Sequence, residues 1–136
     1  PAPKTLDRII DVFPSGQQTQ IRAMLSESLK GVVSQILLKT ADEAGRVPVN
    51  EVLVGTAAVS NLVREGKIPE IYSGMQSGKA QGMYTMDDSL WNLLNMGMIT
   101  ADDAYAACVN KKRFEPALKR AMRYREGLSG SAKPEA

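Results

Sequence analysis

The stretch GRVPVNEVLVGTAAVSNLVREGKI, residues 45–68, changes its hydrophobic period halfway along. In the first half, Val47, Val49, Glu51 and Leu53 alternate with Arg46, Pro48, Asn50 and Val52. A period of two is that of a strand with one buried face. After Thr56 the apolar residues Ala58, Val59, Leu62 and Val63 recur at helical spacing, so a strand gives way to a helix within a few residues. Upstream, VVSQILLK (32–39) is a short β-branched run and TADEAG (40–45) is turn-forming. Together they predict an antiparallel hairpin. Pro48 cannot donate to a ladder, so its strand is an edge strand or Pro48 sits at its start.

Everything outside the hairpin reads as helix or loop. Leu6, Ile9, Ile10 and Phe13 lie on one face of a helix that begins at Lys4 or Thr5 and stops at Pro14. Ser15 then starts a second helix, with Gln18 completing a capping box and Ile21, Met24, Leu25 and Leu29 as its buried stripe. Ile68, Ile71, Tyr72 and Met75 give another stripe, and residues 77–85 read as a loop. Thr85 with Asp88, and Thr100 with Asp103, start two further helices. Phe114, Ala117, Leu118, Ala121 and Met122 line the last one, and residues 127–136 read as a disordered tail. The fold class is an α/β fragment, mostly helical. A lone two-stranded hairpin is marginal in water, so these strands are expected to complete a larger sheet.

With 136 residues, 43% of them hydrophobic and 24% charged, the chain fits one soluble domain. No apolar run approaches the ~18 residues of a membrane span, so no direct membrane insertion is expected. A single cysteine, Cys108, permits no internal disulfide and agrees with a cytoplasmic setting. Histidine is absent, which removes the commonest general base and metal ligand. No phosphate-binding or nucleophile-elbow motif is present. No catalytic or metal-binding residue is therefore assigned, and the chain alone is not read as a complete enzyme.

Charge is uneven. Residues 111–126 hold seven basic and two acidic side chains, a net of +5, which leaves −3 for the rest of a chain whose total is +2. Such a helix could attract phosphate, but no recognition motif accompanies it. A solvated face flanking a docked helix is the simpler account, and no nucleic-acid partner is expected. Asn61, Arg64 and Glu65 share one side of their helix at spacings of three and four. A solvated helix end would explain them, although Glu65 near a C-terminus opposes the macrodipole. Glu51 interrupts an apolar strand face; if buried it needs a partner, and Arg46 and Arg64 are the candidates.

Four stretches in order resemble the C-terminal part of the PilT-like type IV pilus retraction ATPases, a branch of the bacterial secretion ATPases. They are KTLDRIIDVFP (4–14), QQTQIRAMLSESLKGVVSQILL (17–38), residues 45–68 quoted above, and MQSGKAQGMYTMDDSL (75–90). That family's helix Ala-Ile-Arg-Asn-Leu-Ile-Arg-Glu corresponds to Ala58, Val59, Ser60, Asn61, Leu62, Val63, Arg64 and Glu65, with five identities and two apolar swaps. Ser60 stands where the family has arginine. The family associates this helix with pilus retraction rather than with nucleotide contact.

The resemblance implies that residues 1–55 end a RecA-like ATPase domain, with the hairpin as its last strands. Residues 56–126 would form a helical C-terminal subdomain. It further implies a hexamer of identical subunits, ATP and Mg²⁺ bound by upstream residues, and neither bound by this chain alone. An inner-membrane platform protein of the pilus would be the partner, and the location cytoplasmic and peripheral to the inner membrane. Asn61, Leu62, Arg64 and Glu65 become candidate coupling residues, with Arg46 and Glu51 candidates for a subunit interface or ion pair. The rival readings are a free-standing, non-enzymatic interaction module of the same descent and a nucleic-acid binder built on the basic helix.

Overall fold

The computed structural model describes residues 1–130. In chain order the elements are α1 (Ala2–Asp11), α2 (Ser15–Ser28), β1 (Gly31–Lys39), β2 (Arg46–Val54), α3 (Ala57–Arg64), α4 (Ile71–Ser77), α5 (Met86–Asn95), α6 (Ala101–Ala107) and α7 (Lys111–Gly130). Short 3₁₀ turns, Ile68–Glu70 and Gly78–Gln81, precede and follow α4. The architecture is thus mostly helical with one antiparallel hairpin, as the sequence pattern indicates.

The hairpin's register follows from its two ends. Thr40 N–H donates to Gly45 O at 2.9 Å near the tip, and Gly55 N–H to Lys30 O at 2.8 Å at the open end. Ser34 therefore lies opposite Glu51, and Ile36 opposite Val49. Val47, Val49, Glu51 and Leu53 are all buried, the face expected from their alternation. On β1 the facing residues are half-buried, while Val33 and Leu37 on the other face are exposed. On the free side of β2, Val52 and Tyr84 exchange hydrogen bonds of 3.0 and 3.1 Å as an isolated antiparallel bridge. Residues 77–85, expected as plain loop, thus hold a 3₁₀ turn and a strand-like residue. The loop reading missed them because neither element is long enough to show a period.

The described chain forms two compact units. One comprises residues 1–36 and 49–89, the other 37–48 and 90 onward. In the first unit, Leu6 and Ile10 of α1, Leu53 of β2, Val59 and Val63 of α3, and Ile71 and Met75 of α4 share one buried cluster. Each such side chain contributes roughly 1.5–3 kcal/mol by leaving water. Gly55 links β2 to α3 where a β-carbon would fall 2.2 Å from the Leu29 carbonyl oxygen, so the connection tolerates only glycine. In the second unit, Phe114 is fully buried, and Trp91 meets it edge-on at 5.4 Å between ring centroids.

Two helix starts differ from expectation. α1 begins at Ala2, with proline in its first turn, because the unmatched N–H groups there cost proline nothing. α2 lacks the expected capping box: no side chain caps it, and Gln18 Nε2 donates instead to Phe13 O at 3.1 Å. Met24 of its expected stripe is 59% exposed. The threonine caps are formed. Thr85 Oγ1 accepts from Asp88 N–H at 3.2 Å, Thr100 Oγ1 from Asp103 N–H at 3.1 Å, and Thr56 Oγ1 from Val59 N–H at 3.3 Å. α7 runs on to Gly130, past the expected helix end at residue 126; residues 131–136 of the expected tail lie outside the described residues. Pro116 sits inside α7 on its exposed side, where water can satisfy the carbonyl its missing N–H leaves open.

Glu51 is the largest departure. It is fully buried, and its carboxylate accepts from the backbone N–H of Ala2 through Oε1 and from that of Met86 through Oε2 at 2.9 Å. Those are the first residues of α1 and α5. A helix N-terminus carries unmatched donors and positive dipole charge, so one carboxylate serves two helices. The ion pair expected with Arg46 or Arg64 is not formed. Arg46 is five residues away on the same strand, so alternation turns it to the opposite, exposed face, and Arg64 is exposed as well.

Two outcomes follow. Glu51→Ala leaves both amides without an acceptor and lowers stability by about 2–5 kcal/mol, read from the urea midpoint; Glu51→Gln keeps one acceptor oxygen and falls between. Tyr72 is half-buried and donates to Asp87 Oδ2 at 3.2 Å. Burial first, then the Asp87 charge, pushes its hydroxyl up to about 12. Its neutral form therefore stabilises the fold below the unfolded value near ~10, and that contribution drains away as pH rises through the folded value. Tyr72→Phe should flatten the loss of stability in that alkaline window, as followed by circular dichroism.

Candidate functional site

α3 is held on one side and bare on the other. Thr56 caps its start, and Gly66, in the left-handed region at φ +72°, ends it after Arg64. Val59 and Val63 are sunk in the core, and α3 packs along α2. At a helical 100° per residue, this turns Asn61 and Arg64 outward, with Glu65 at the C-cap beside them. All three are exposed. The structure thus brings the three sequence-singled polar residues onto one open face.

The face is ordered by local contacts. Arg64 Nη1 donates to Asn61 Oδ1 at 3.5 Å, and Glu65 pairs with Lys67 at 2.9 Å. That hydrogen bond and the Lys67 charge hold the Glu65 carboxyl below the usual carboxylate range, and Glu65 raises the Lys67 ammonium in return. Both side chains are about half exposed, so salt screens the pair and its contribution to stability is small. Lys67 was not read from the sequence as part of this site. It lies beyond the helix-ending Gly66, where helical spacing no longer indicates which residues meet.

Leu62, also singled out, does not join the polar face. It is half-buried and lines an apolar groove of about 470 Å³ with Ala58, Gly74, Ser77, Gly78 and Met83. At Gly78 an added β-carbon would fall 2.3 Å from the Met83 methyl, so the Met83 side chain would have to move to admit one. Arg46 is exposed at the start of β2, and Glu51 is committed to the two helix starts. Arg46 and Glu51 therefore form no site with the α3 face.

The basic helix α7 is partly engaged within the chain. Lys111 Nζ donates to the Tyr105 and Ala106 carbonyls at the end of α6. Arg113 lies over the Trp91 ring at 5.3 Å, and Arg125 pairs with Asp102 at 3.1 Å. Among the described residues no group of three or more His, Cys, Asp or Glu side chains could hold a metal ion. None of their helices is long and apolar enough to cross a membrane.

What the α3 face can offer chemically is recognition: an amide, a guanidinium and a carboxylate–ammonium pair on a rigid helix beside an apolar groove. No protein-family model matches the chain. It is 50% identical over 111 residues to a twitching motility protein of Neisseria gonorrhoeae, covering 82% of this chain and 30% of that protein. Against the type IV pilus retraction ATPase PilT of Pseudomonas aeruginosa it is 45% identical over 103 residues, covering 76% and 30%. A crystal structure of the pilus retraction motor PilT with bound ADP superposes with a TM-score of 0.72 at 39% identity, over 84% of this chain and 31% of that one. The chain therefore spans about 30% of the length of the curated relatives it matches. In sequence and in fold, it belongs to the PilT-like family of type IV pilus retraction ATPases and corresponds to the C-terminal part of its members.

Proposed function

We propose that this chain is the force-transmitting C-terminal portion of a pilus retraction motor. In the intact protein, upstream residues bind and hydrolyse ATP with Mg²⁺, and six copies form the working ring. Residues 1–55 complete the RecA-like domain, with the hairpin closing its sheet, and residues 56–126 form the helical subdomain. Phosphoryl transfer needs a phosphate cradle and metal ligands, and this stretch supplies neither, so alone it does not turn over ATP. Rotation of the subunits reaches the pilus base through an inner-membrane platform protein, which places the motor in the cytoplasm against that membrane. Arg46 contacts a neighbouring subunit.

The observation that carries this reading is the α3 face. Asn61, Arg64 and Glu65 are exposed, while the same helix is anchored by buried Val59 and Val63. A helix held that firmly moves with its domain, so a partner bound to its outer face feels every domain rotation. Ser60, where the family carries arginine, is half-buried, so the face as it stands relies on Arg64 for its guanidinium.

The test places Asn61→Ala, Arg64→Ala and Glu65→Ala together in the whole gene, expressed in a strain lacking its own retraction motor. Exposed substitutions of this kind change stability by no more than about 0.5 kcal/mol each. The expected outcome is loss of twitching with ATPase activity and ring assembly retained. Full twitching by the triple variant would contradict the reading.

A further inference from the structure

We propose that the outward face of α7 docks on an anionic phospholipid bilayer. The cations of this helix fall into two groups. Lys111, Arg113 and Arg125 are engaged with other parts of the chain, as described above. Lys112, Lys119, Arg120 and Arg123 are not. At 3.6 residues per turn they lie within an arc of roughly 100°, opposite the buried Phe114. Lys112, Arg120 and Arg123 have no carboxylate partner among the described residues. Lys119 is 63% exposed and reaches Glu115 only at 4.0 Å. Glu115 and Glu126 border the arc and temper its charge without reversing it.

The shape and flanks of the array select the partner. The four cations run along ~16 Å of the helix, from residue 112 to residue 123, and an extended row of like charge matches an anionic lipid surface better than a compact ligand. Met122 and Tyr124 are 47% and 70% exposed and lie on either side of the arc, level with Arg120 and Arg123. Apolar and aromatic groups beside arginines suit the boundary between lipid headgroups and acyl chains. An acidic peptide or a nucleic acid would pair the charges and leave those groups in water. The inference borrows only its setting from the proposed location beside a membrane. Vesicle binding tests it separately from twitching, so either reading can fail alone.

The experiment is co-sedimentation of the chain with vesicles of phosphatidylglycerol and phosphatidylethanolamine, against vesicles of phosphatidylcholine. Binding is expected to the anionic vesicles only, falling as salt shortens the Debye length from ~30 Å towards ~3 Å. Arg120→Ala with Arg123→Ala should weaken it about thirtyfold with the helical circular-dichroism signal unchanged, whereas Lys4→Ala on α1 should leave it as it was. Equal binding to both vesicle types, or unaltered binding by the double variant, overturns the proposal. So does absent vesicle binding, including the case in which duplex DNA or polyglutamate is bound instead.

Discussion

A buried carboxylate on β2 sets the arrangement of the first compact unit. Glu51 points into the same face as Val49 and Leu53, where an isolated charge would be costly. It is tolerated because it meets the first backbone N–H of α1 and of α5. Each helix brings partial positive charge and unmatched donors to the contact. Strand and helices are therefore interdependent: the strand fixes where both helices start, and the helices make the buried charge affordable.

From that junction the position of α3 follows. β2 passes through Gly55, whose close approach to Leu29 allows no side chain, into the Thr56 cap and then the helix. Leu53, Val59 and Val63 share one cluster with Leu6 and Ile10 of α1. The outer face of α3 is consequently presented on a rigid base. Rigidity matters for the proposed role, since a surface that yields under load transmits little force. The groove beside it, walled by Leu62, Gly78 and Met83, places apolar surface next to the polar residues. Mixed surfaces of this kind, an apolar centre with a polar rim, are common at protein interfaces.

Much of this was legible in the residues. The switch of period at Thr56 located β2 and α3, and the threonine caps located α5 and α6, because each rests on local chemistry. The exposed set Asn61, Arg64 and Glu65 was legible for the same reason, as helical spacing fixes a face. What stayed hidden was non-local. Nothing near Glu51 in sequence says that Ala2 and Met86, 49 and 35 positions away, supply its partners. Lys67 beyond Gly66, and Tyr84 pairing with Val52, depend on chain reversals that periodicity cannot describe. The Ser15–Gln18 signature misled because Pro14 takes the cap position and Ser15 already lies in the first turn, leaving the Gln18 amide to donate to Phe13 O.

Hydrogen exchange at single residues probes the central junction most directly. If Glu51 holds both helix starts, the Met86 and Ala2 amides exchange only when the whole unit unfolds, as slowly as the Leu53 amide in β2. First-turn amides elsewhere, such as those of α2, exchange quickly. Fast exchange at Met86 and Ala2 in the native protein would contradict the account, because it would leave the buried carboxylate without its partners.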